Sequence, residues 1–505
     1  MKHVKQLLSA LLVLAVVLSL LPAGVLKASA AEAPAALNIG YPTFKNTELL
    51  DEVYDLSKLG VSYSEKDIMM AIYKQDLANG GDSFYMDRIL AREGVCNGNA
   101  GSNGNADGNT FLTRGRALYM YTSSPSVIGF GGNTAYHQPL GRGDLVRVLF
   151  SNADGSLTTK EDTSKRVNAP SNWSSTYSVG SNLTLDVVKF IHQENVAVTT
   201  MTLTNKSAED QAITVAADSI FATEPGKVTV NGAEQTELTG TCSSPAGLTT
   251  IYARMTGDGF EAASSDDYCW LSRDVTVPAG GSVELKVVIA FTTEEIPEST
   301  EQYLRFAGLG NLEAVRAQKA EYNLYWAENL PYIDVPKKAV QKAIDYRWWL
   351  ERFNSLDANI PGYDYQYPVT IEGVLGYNNA IILTQPMHLQ DTKWLRSPYL
   401  AYGQLLSAGN SSQSSAFLDN PGNRNNWNNH YGQYLAEAGY EAFNVIGGGA
   451  EVAENFAYYF GHDATGQLEH YGNHIEGRDL IAYRNNYMTG NDADTISMHA
   501  PGTGT

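Results

Sequence analysis

The residue pattern of this chain changes near residue 295 from one typical of β-strands to one typical of α-helices. From Thr110 to about Thr293, short segments rich in Val, Thr and Tyr alternate with turn residues, and several keep a period of two. The predicted strands are Ala117–Thr122, Asp144–Ser151, Leu183–Ile191, Val196–Asn205, Gln211–Asp218, Thr249–Thr256, Cys269–Val277 and Ser282–Thr292. Many short strands at this spacing predict an antiparallel β-sandwich.

The residues that follow have the apolar spacing of helices. Glu301–Leu330 carries apolar and aromatic residues at helical intervals, Pro331 marks its end, and Pro336 suits the first turn of a helix over Lys337–Asn354. Further predicted helices are Ser397–Ala408, His430–Val445, Ala450–Phe460 and Asp463–Tyr471. Long loops rich in Asn, Gly, Tyr and Asp join these helices, and such loops are where binding and catalytic residues concentrate.

The first 30 residues have the features of a cleavable signal peptide. Lys2 and Lys5 precede an apolar run over Leu7–Leu21, and Ala28-Ser29-Ala30 offers the small side chains that signal peptidase accepts. A membrane anchor is the alternative, but it needs about 20 apolar residues, and this run is shorter and is followed by Pro22. We therefore predict a secreted, extracellular protein with no membrane span in the mature chain.

Composition favours a neutral ligand. Without the lysines of the signal peptide, 32 basic residues face 55 acidic ones, which gives a net charge of −23. Such a chain repels nucleic acid and anionic lipid. Charged residues make up only 18% of the chain, whereas it contains 30 tyrosines, and this balance suits binding to sugars, although Tyr and Asn also coat the surfaces of exported proteins.

The cysteines and histidines indicate neither a disulfide framework nor a zinc site, and the residue pattern divides the chain into four parts. The three cysteines cannot all pair with one another, and a bridge between Cys242 and Cys269 stays open. No Cys or His pair has the spacing of zinc ligands, so no metal ligand is predicted. The predicted divisions are a signal peptide over residues 1–30, a β-sandwich over 31–295, a linker helix over 296–335 and a helical catalytic domain over 336–505.

Three stretches carry a resemblance to a known superfamily. They are the segment Tyr325–Pro336 with the Trp348-Trp349 helix, the segment Gln385–Trp394, and the loop Asn491–Thr495. With the sandwich before them, they resemble the six-hairpin glycosidases, among them mannosylglycerate hydrolase-like and β-L-arabinobiosidase-like enzymes. The resemblance implies an (α/α)6 helical barrel, incomplete in residues 336–505, and it covers residues from about 110 onward, although the Phe-Gln-Trp-Asp form of some relatives is absent.

Glycosidase chemistry needs two carboxyl groups. One protonates the leaving oxygen and the other activates water, and in inverting enzymes the two stand about 6.5–9.5 Å apart. Asp492 and Asp494 occupy the loop that the resemblance assigns to the general acid, and Glu372 and Glu476 are the other catalytic candidates. In an extended loop Asp492 and Asp494 point the same way, so that one raises the pKa of the other. A polar turn or a calcium site explains the same two residues equally well.

Two sets of polar and aromatic residues suit contact with a sugar. Carboxylates and amides bind hydroxyl groups, while Trp and Tyr rings stack on the apolar face of a sugar ring. The predicted substrate-binding residues are Asn379, Gln385, His388, Asp391, Trp394, Trp427, His430 and His474. Solvated loop residues and packed aromatics are the alternative for any one of them.

These features predict a secreted glycoside hydrolase that acts on plant or microbial oligosaccharides or polysaccharides, with inversion. We also expect a truncated chain, because a full barrel needs more residues than follow Pro331 and the second catalytic carboxylate then lies beyond Thr505. The alternatives are a non-catalytic carbohydrate-binding cell-surface protein and a polysaccharide lyase. No cofactor is predicted, and a structural Ca²⁺ ion is the one ion left open.

Overall fold

A computed structural model describes residues 33–39, 119–122, 128–133, 144–168, 171–243, 250–265, 268–331, 335–357, 366–370, 380–412, 417 and 433–470. The chain divides into two compact units. The sandwich unit comprises Thr43–Phe353 with Val374–Gly376, and the helical unit comprises Met1–Pro42, Asn354–Gly373 and Tyr377–Thr505. The predicted domain boundaries at 295 and 335 stay predictions.

The first sheet of the sandwich unit has seven strands, in the order β1-β2-β3-β9-β14-β13, with β4 paired to β3. All of its neighbouring strands are antiparallel. The strands are β1 (Tyr119–Thr122), β2 (Ile128–Asn133), β3 (Asp144–Asn152), β4 (Gly155–Ser156), β9 (Gln211–Ser219), β13 (Glu261–Ser265) and β14 (Tyr268–Val277).

The second sheet has eight antiparallel strands, in the order β10-β11-β12-β15-β8-β7-β6-β5. The strands are β5 (Thr159–Asn168), β6 (Trp173–Val179), β7 (Leu183–His192), β8 (Val196–Asn205), β10 (Glu224–Val230), β11 (Ala233–Ser243), β12 (Thr250–Gly257) and β15 (Ser282–Thr292). Strand β14 of the first sheet lies against β8, β11 and β15 of the second, so the two sheets form a sandwich.

Seven helices are described. They are α1 (Pro297–Gly308), α2 (Asn311–Asn329), α3 (Lys338–Asn354), α4 (Gln385–Thr392), α5 (Tyr399–Ser412), α6 (Leu435–Ile446) and α7 (Ala450–His470). The predicted fold class, an antiparallel β-sandwich followed by a helical region, is therefore confirmed. Among the described residues, no helix combines the length and the apolar composition needed to cross a bilayer.

Residue composition explains which strands of the two sheets were predicted and which were missed. In β7, which was predicted, Leu183, Leu185 and Val187 are buried and alternate with more exposed residues, as expected for a strand with one face in the core. All eight predicted strands are present with small differences at their ends. The strands of these two sheets that were not predicted include both edge and inner strands, and they carry mainly Gly, Ser, Thr or charged residues in place of runs of Val, Ile and Leu. They are β2, β4, β5, β6, β10, β11 and β13.

Helices α1 and α2 pack on the eight-stranded sheet. Tyr303, Phe306 and Ala314 join a buried cluster with Phe190 and Val288 of the sheet. The ring centroids of Phe190 and Phe306 are 5.4 Å apart in an edge-to-face arrangement. Because these helices cover the outer face of the sheet, the first part of β8 is buried on both faces, as is the last part of β15.

The single helix predicted over Glu301–Leu330 is two helices, because the chain is extended at Leu309 and Gly310. Lys286 of β15 is 1% exposed, and its ammonium group donates hydrogen bonds to the carbonyl oxygens of Ala307, at 3.0 Å, and Leu309. A cation at a helix C-terminus binds carbonyl groups that have no partner within the helix. The buried lysine therefore fixes the end of α1.

An ion-pair network links the sheet to α1 and α2. The Glu321 carboxylate lies 2.8 Å from Nε2 of the buried His192 and 2.5 Å from Nη1 of Arg305. The backbone N–H of Glu194 donates to Nδ1 of His192 at 3.2 Å, so this nitrogen is an acceptor and Nε2 carries the proton. Burial opposes ionisation of Glu321, but its hydrogen bonds to His192 and Arg305 hold the pKa of Glu321 below its usual value.

In the helical unit, α5 contacts α4, α6 and α7 around a shared apolar core. Tyr402, Leu405 and Leu406 of α5 are buried there with Phe443 of α6 and Phe456 of α7. The two helices predicted at Ala450–Phe460 and Asp463–Tyr471 are one helix, because Gly461 between them continues the α-helix. The helical unit also contains a two-stranded sheet of β16 (Ser355–Leu356) and β17 (Val369–Thr370).

We expect Gly409→Ala to destabilise the helical unit, although alanine is normally the better helix former. A Cβ atom at position 409 would lie 2.3 Å from the root of the Tyr459 ring, so α5 and α7 would have to separate. Overpacking of this kind costs about 1–3 kcal/mol. The matched control is Gly461→Ala in α7, where a Cβ meets nothing within 4 Å, and a gain of about 0.5–1 kcal/mol is expected. Urea unfolding followed by circular dichroism checks both values, and equal effects would contradict the close approach.

Cys269 forms no disulfide bond. Cys269 is a free thiol buried in β14, so the bridge to Cys242 that the sequence left open is not present. Burial raises the pKa of the Cys269 thiol and keeps it protonated.

Candidate carbohydrate site

The structure describes four of the predicted site residues. Gln385, His388 and Asp391 lie on α4, and Trp394 follows its end. The other predicted residues lie outside the described residues, and they are Glu372, Asn379, Trp427, His430, His474, Glu476, Asp492 and Asp494. The roles of both sets stay predictions.

The segment from Gln385 to Thr392 was expected to be part of a loop, and this expectation is wrong, because the segment forms α4. Pro386 occupies the first turn of the helix, where a missing N–H has no consequence. The hydroxyl group of Thr384, just before the helix, donates to the carbonyl oxygen of Ile381 at 3.1 Å. Three of the predicted sugar-binding residues therefore lie on a helix.

Gln385 anchors α4 to the small sheet. Its side chain is fully buried, and its Nε2 donates to the carbonyl oxygen of Thr370 in β17 at 3.0 Å. Its Oε1 is also buried and accepts no hydrogen bond from the described residues. Gln385 thus holds the start of α4 in place and retains one unused acceptor.

His388 and Asp391 are partly buried and three residues apart on α4, which places them on neighbouring positions of the helix surface. The carbonyl oxygen of His388 accepts a hydrogen bond from the Thr392 hydroxyl at 2.9 Å. Gln404 of α5 donates to the same hydroxyl at 3.4 Å. Gln404 Oε1 and Ser407 Oγ are buried in α5 without a partner among the described residues. The contact between α4 and α5 therefore contains buried polar oxygens.

Trp394 is a well-exposed aromatic residue, with 53% of its surface accessible. The Lys393 ammonium group lies 5.5 Å from the centre of its ring. Lys393 in turn donates to Glu441 Oε2 of α6 at 2.7 Å and also binds Gln390. The position of Lys393 is thereby fixed, and the Trp394 ring beside it is available for stacking.

Sequence analysis missed Glu441. The hydrogen bond from Lys393, with a second one from Gln390 at 2.7 Å, lowers the pKa of the Glu441 carboxyl. Gln390 and Lys393 are three residues apart, which is a visible signal of a shared helix face. Glu441 lies about 50 residues later, and only the packing of α6 against α4 brings it to them.

Two buried carboxylates of the helical unit were also missed. Asp357 is 3% exposed and accepts a hydrogen bond from the hydroxyl group of Tyr399. Asp463 accepts from the backbone N–H of Phe417 at 2.7 Å and from Nε2 of Gln433 at 3.0 Å. Both oxygens of Asp463 are engaged with neighbouring structure, which indicates a structural role. No pattern in the sequence distinguishes Asp357 from a surface aspartate.

No family model matches this chain. Solved structures similar to it include the chain named "Putative kojibiose phosphorylase from human microbiome", at 10% identity and a TM-score of 0.47, with 71% of this chain and 54% of that chain covered. A family GH92 inverting mannosidase of Bacteroides thetaiotaomicron is 14% identical, with a TM-score of 0.45 and coverage of 73% and 54%. Another family GH92 glycosyl hydrolase is 11% identical, with a TM-score of 0.38 and coverage of 69% and 53%.

The chain spans about half the length of these three structures. Similarity at this level transfers no activity, substrate or partner to this chain. Its fold assignment rests on its own strand pairing and helix order.

Proposed function

We propose that this chain is part of a secreted glycoside hydrolase that cleaves plant or microbial oligosaccharides or polysaccharides with inversion. The order of its elements carries the proposal. A two-sheet antiparallel sandwich, helices packed on one sheet and then a separate helical unit follow one another as the resemblance to six-hairpin glycosidases implies. The low charge density and the abundance of Tyr suit a neutral sugar substrate.

In the proposed reaction, Asp492 or Asp494 donates a proton to the glycosidic oxygen as the bond to the anomeric carbon breaks. A second carboxylate, Glu372 or Glu476 if this chain supplies it, takes a proton from a water molecule on the opposite face of the sugar. The water oxygen forms the new bond to the anomeric carbon, so the product has the inverted configuration. The proton lost by the acid is restored by the base through solvent.

The described residues would bind and orient the sugar. The exposed Trp394 ring offers a face for stacking, and its neighbour Lys393 is held by Glu441. His388 and Asp391 supply polar groups from α4, whose start is fixed by the hydrogen bond between Gln385 and Thr370. A rigid element that carries these groups lowers the entropy cost of binding.

The proposal needs no cofactor, and it includes export directed by residues 1–30. The alternative use of Asp492 and Asp494 is a structural Ca²⁺ site, since carboxylate oxygens are the ligands that Ca²⁺ prefers. Loss of thermal stability after treatment with a chelator would indicate such a site.

The test is a screen of the full-length protein against aryl glycosides and plant and microbial oligosaccharides. We expect turnover of at least one neutral glycoside, and proton NMR during the first minutes should show the product anomer opposite to that of the substrate. Retention of configuration would overturn the inverting mechanism. An ultraviolet-absorbing unsaturated product would indicate a lyase, and binding without any turnover would indicate a carbohydrate-binding protein.

A further inference from the structure

A groove of about 690 Å³ lies wholly within the sandwich unit, beside the start of α1. Strands β11, β12 and β15 form its floor, and the first turn of α1 forms one wall. Cavities of roughly 300–1,000 Å³ accommodate small organic ligands, so this groove has room for two or three sugar rings. None of the predicted catalytic or substrate-binding residues lines it.

Arg254 supplies a rigid donor on the groove floor. Its Nε donates to Glu237 Oε1 at 2.8 Å and its Nη2 lies 3.3 Å from Glu237 Oε2, while Glu237 itself is 3% exposed. The guanidinium also lies 4.9 Å from the centre of the buried Tyr303 ring. A guanidinium has five N–H groups, and Glu237 occupies two of them, so further donors remain for a ligand. Because the ion pair fixes the guanidinium, a ligand binds to donors that are already ordered.

Hydroxyl groups and one aromatic ring complete the lining. Thr293 is 5% exposed, and its buried Oγ1 has no hydrogen-bond partner among the described residues. The hydroxyls of Thr239 and Thr292 make only long contacts, of 3.5 Å, to backbone carbonyl oxygens. Tyr252 is 40% exposed and presents its ring at the groove. Ordered hydroxyls next to an accessible ring match the hydroxyl groups and the apolar face of a sugar.

The charge of the groove favours neutral saccharides over anionic ones. The ion pair of Arg254 and Glu237 is neutral as a whole, and Glu294 and Glu301 add two exposed carboxylates to the rim. A saccharide that carries a uronate, phosphate or sulfate group would be repelled by these carboxylates. We infer that this groove is a second, non-catalytic binding site for a neutral saccharide.

Affinity electrophoresis of the full-length protein in native gels that contain arabinan, mannan or dextran tests the inference. At least one of these neutral polymers should retard the protein, and polygalacturonate should not. Tyr252→Ala removes the stacking ring and Thr293→Val removes the unpaired hydroxyl, so each should weaken the retardation at least threefold. The matched control is Tyr434→Ala, which removes a tyrosine that is 42% exposed and lies outside the groove. This substitution should leave the retardation unchanged.

Thermal unfolding separates binding from folding. Thr293→Val removes a buried polar group that has no partner among the described residues, so the melting temperature should stay the same or rise while binding falls. Equal retardation of Tyr252→Ala and Tyr434→Ala would overturn the inference, as would retardation by polygalacturonate alone or by no polymer.

Hydrolysis of aryl glycosides by the same variants keeps this inference distinct from the proposed function. Tyr252→Ala should hydrolyse these small substrates as the unmodified protein does, because the ring lies outside the predicted catalytic set. Retardation that depends on Tyr252 in a protein without hydrolytic activity would retain the groove and overturn only the proposed enzyme.

Discussion

Asparagine at position 492 or 494 is expected to abolish hydrolysis and to leave saccharide binding intact. Asparagine has nearly the shape of aspartate but can neither donate a carboxylic proton nor carry negative charge. General acid catalysis contributes roughly a factor of 10²–10⁴ to the rate, so kcat should fall by that amount while the dissociation constant stays within about twofold. The control is Asp154→Asn, which changes an exposed turn carboxylate of the sandwich unit.

The leaving group identifies which carboxyl is the acid. Dinitrophenolate is a good leaving group and departs without protonation. A variant that lacks only the acid should therefore still hydrolyse a dinitrophenyl glycoside, whereas a variant that lacks the base should not. Rates on dinitrophenyl and methyl glycosides therefore assign a role to each of the two positions. Undiminished activity of both variants on methyl glycosides would place the acid elsewhere, with Glu476 as the next candidate.

Trp326→Ala is expected to destabilise the sandwich unit by about 3–5 kcal/mol, as for other large buried aromatics. Trp326 of α2 is 1% exposed and packs edge-to-face against Tyr325, with ring centroids 4.9 Å apart, and against Tyr322 at 6.0 Å. The Arg352 guanidinium of α3 lies 3.7 Å from the centre of the Tyr325 ring and 5.2 Å from that of Trp326. Loss of the indole thus leaves a cavity between α2 and α3.

Two further substitutions make the test specific. Trp394→Ala removes an equally large side chain that is 53% exposed, and its effect should stay within about 0.5 kcal/mol. Trp326→Phe should cost less than Trp326→Ala, because it retains a ring and removes an indole N–H that has no partner among the described residues. Urea unfolding followed by far-ultraviolet circular dichroism measures all three. A loss below about 1 kcal/mol for Trp326→Ala would contradict the packing between α2 and α3.

Strands with long apolar runs were predicted from the sequence, whereas strands without such runs were missed. Strands such as β8 and β15 carry long runs of Val, Ile, Leu and Thr because they are buried on both sides, and such runs are visible without coordinates. Strand β5, with the sequence TKEDTSKRVN, lies at an edge and has no apolar face to detect. Its pairing with β6 determines its conformation.

Helix boundaries also depend on tertiary contacts that the sequence does not reveal. The apolar spacing of Glu301–Leu330 predicts helix correctly, but the break at Leu309 depends on the buried Lys286, which binds the carbonyl groups that end α1. Helix α4 was taken for a loop because its eight residues are mostly polar. Its packing against α5 and α6 stabilises it, and a short helix has little stability of its own.

Periodicity and residue type are local properties, so they were enough to predict the order of a β-sandwich and a helical region and to propose candidate residues for sugar chemistry. The contact of Glu441 with Lys393 is visible only in the tertiary structure. The same holds for the contacts of Arg254 with Glu237 and Tyr303 beside the groove. Such contacts join residues far apart in the chain, and their energy comes from burial and hydrogen bonds that exist only once the elements have packed.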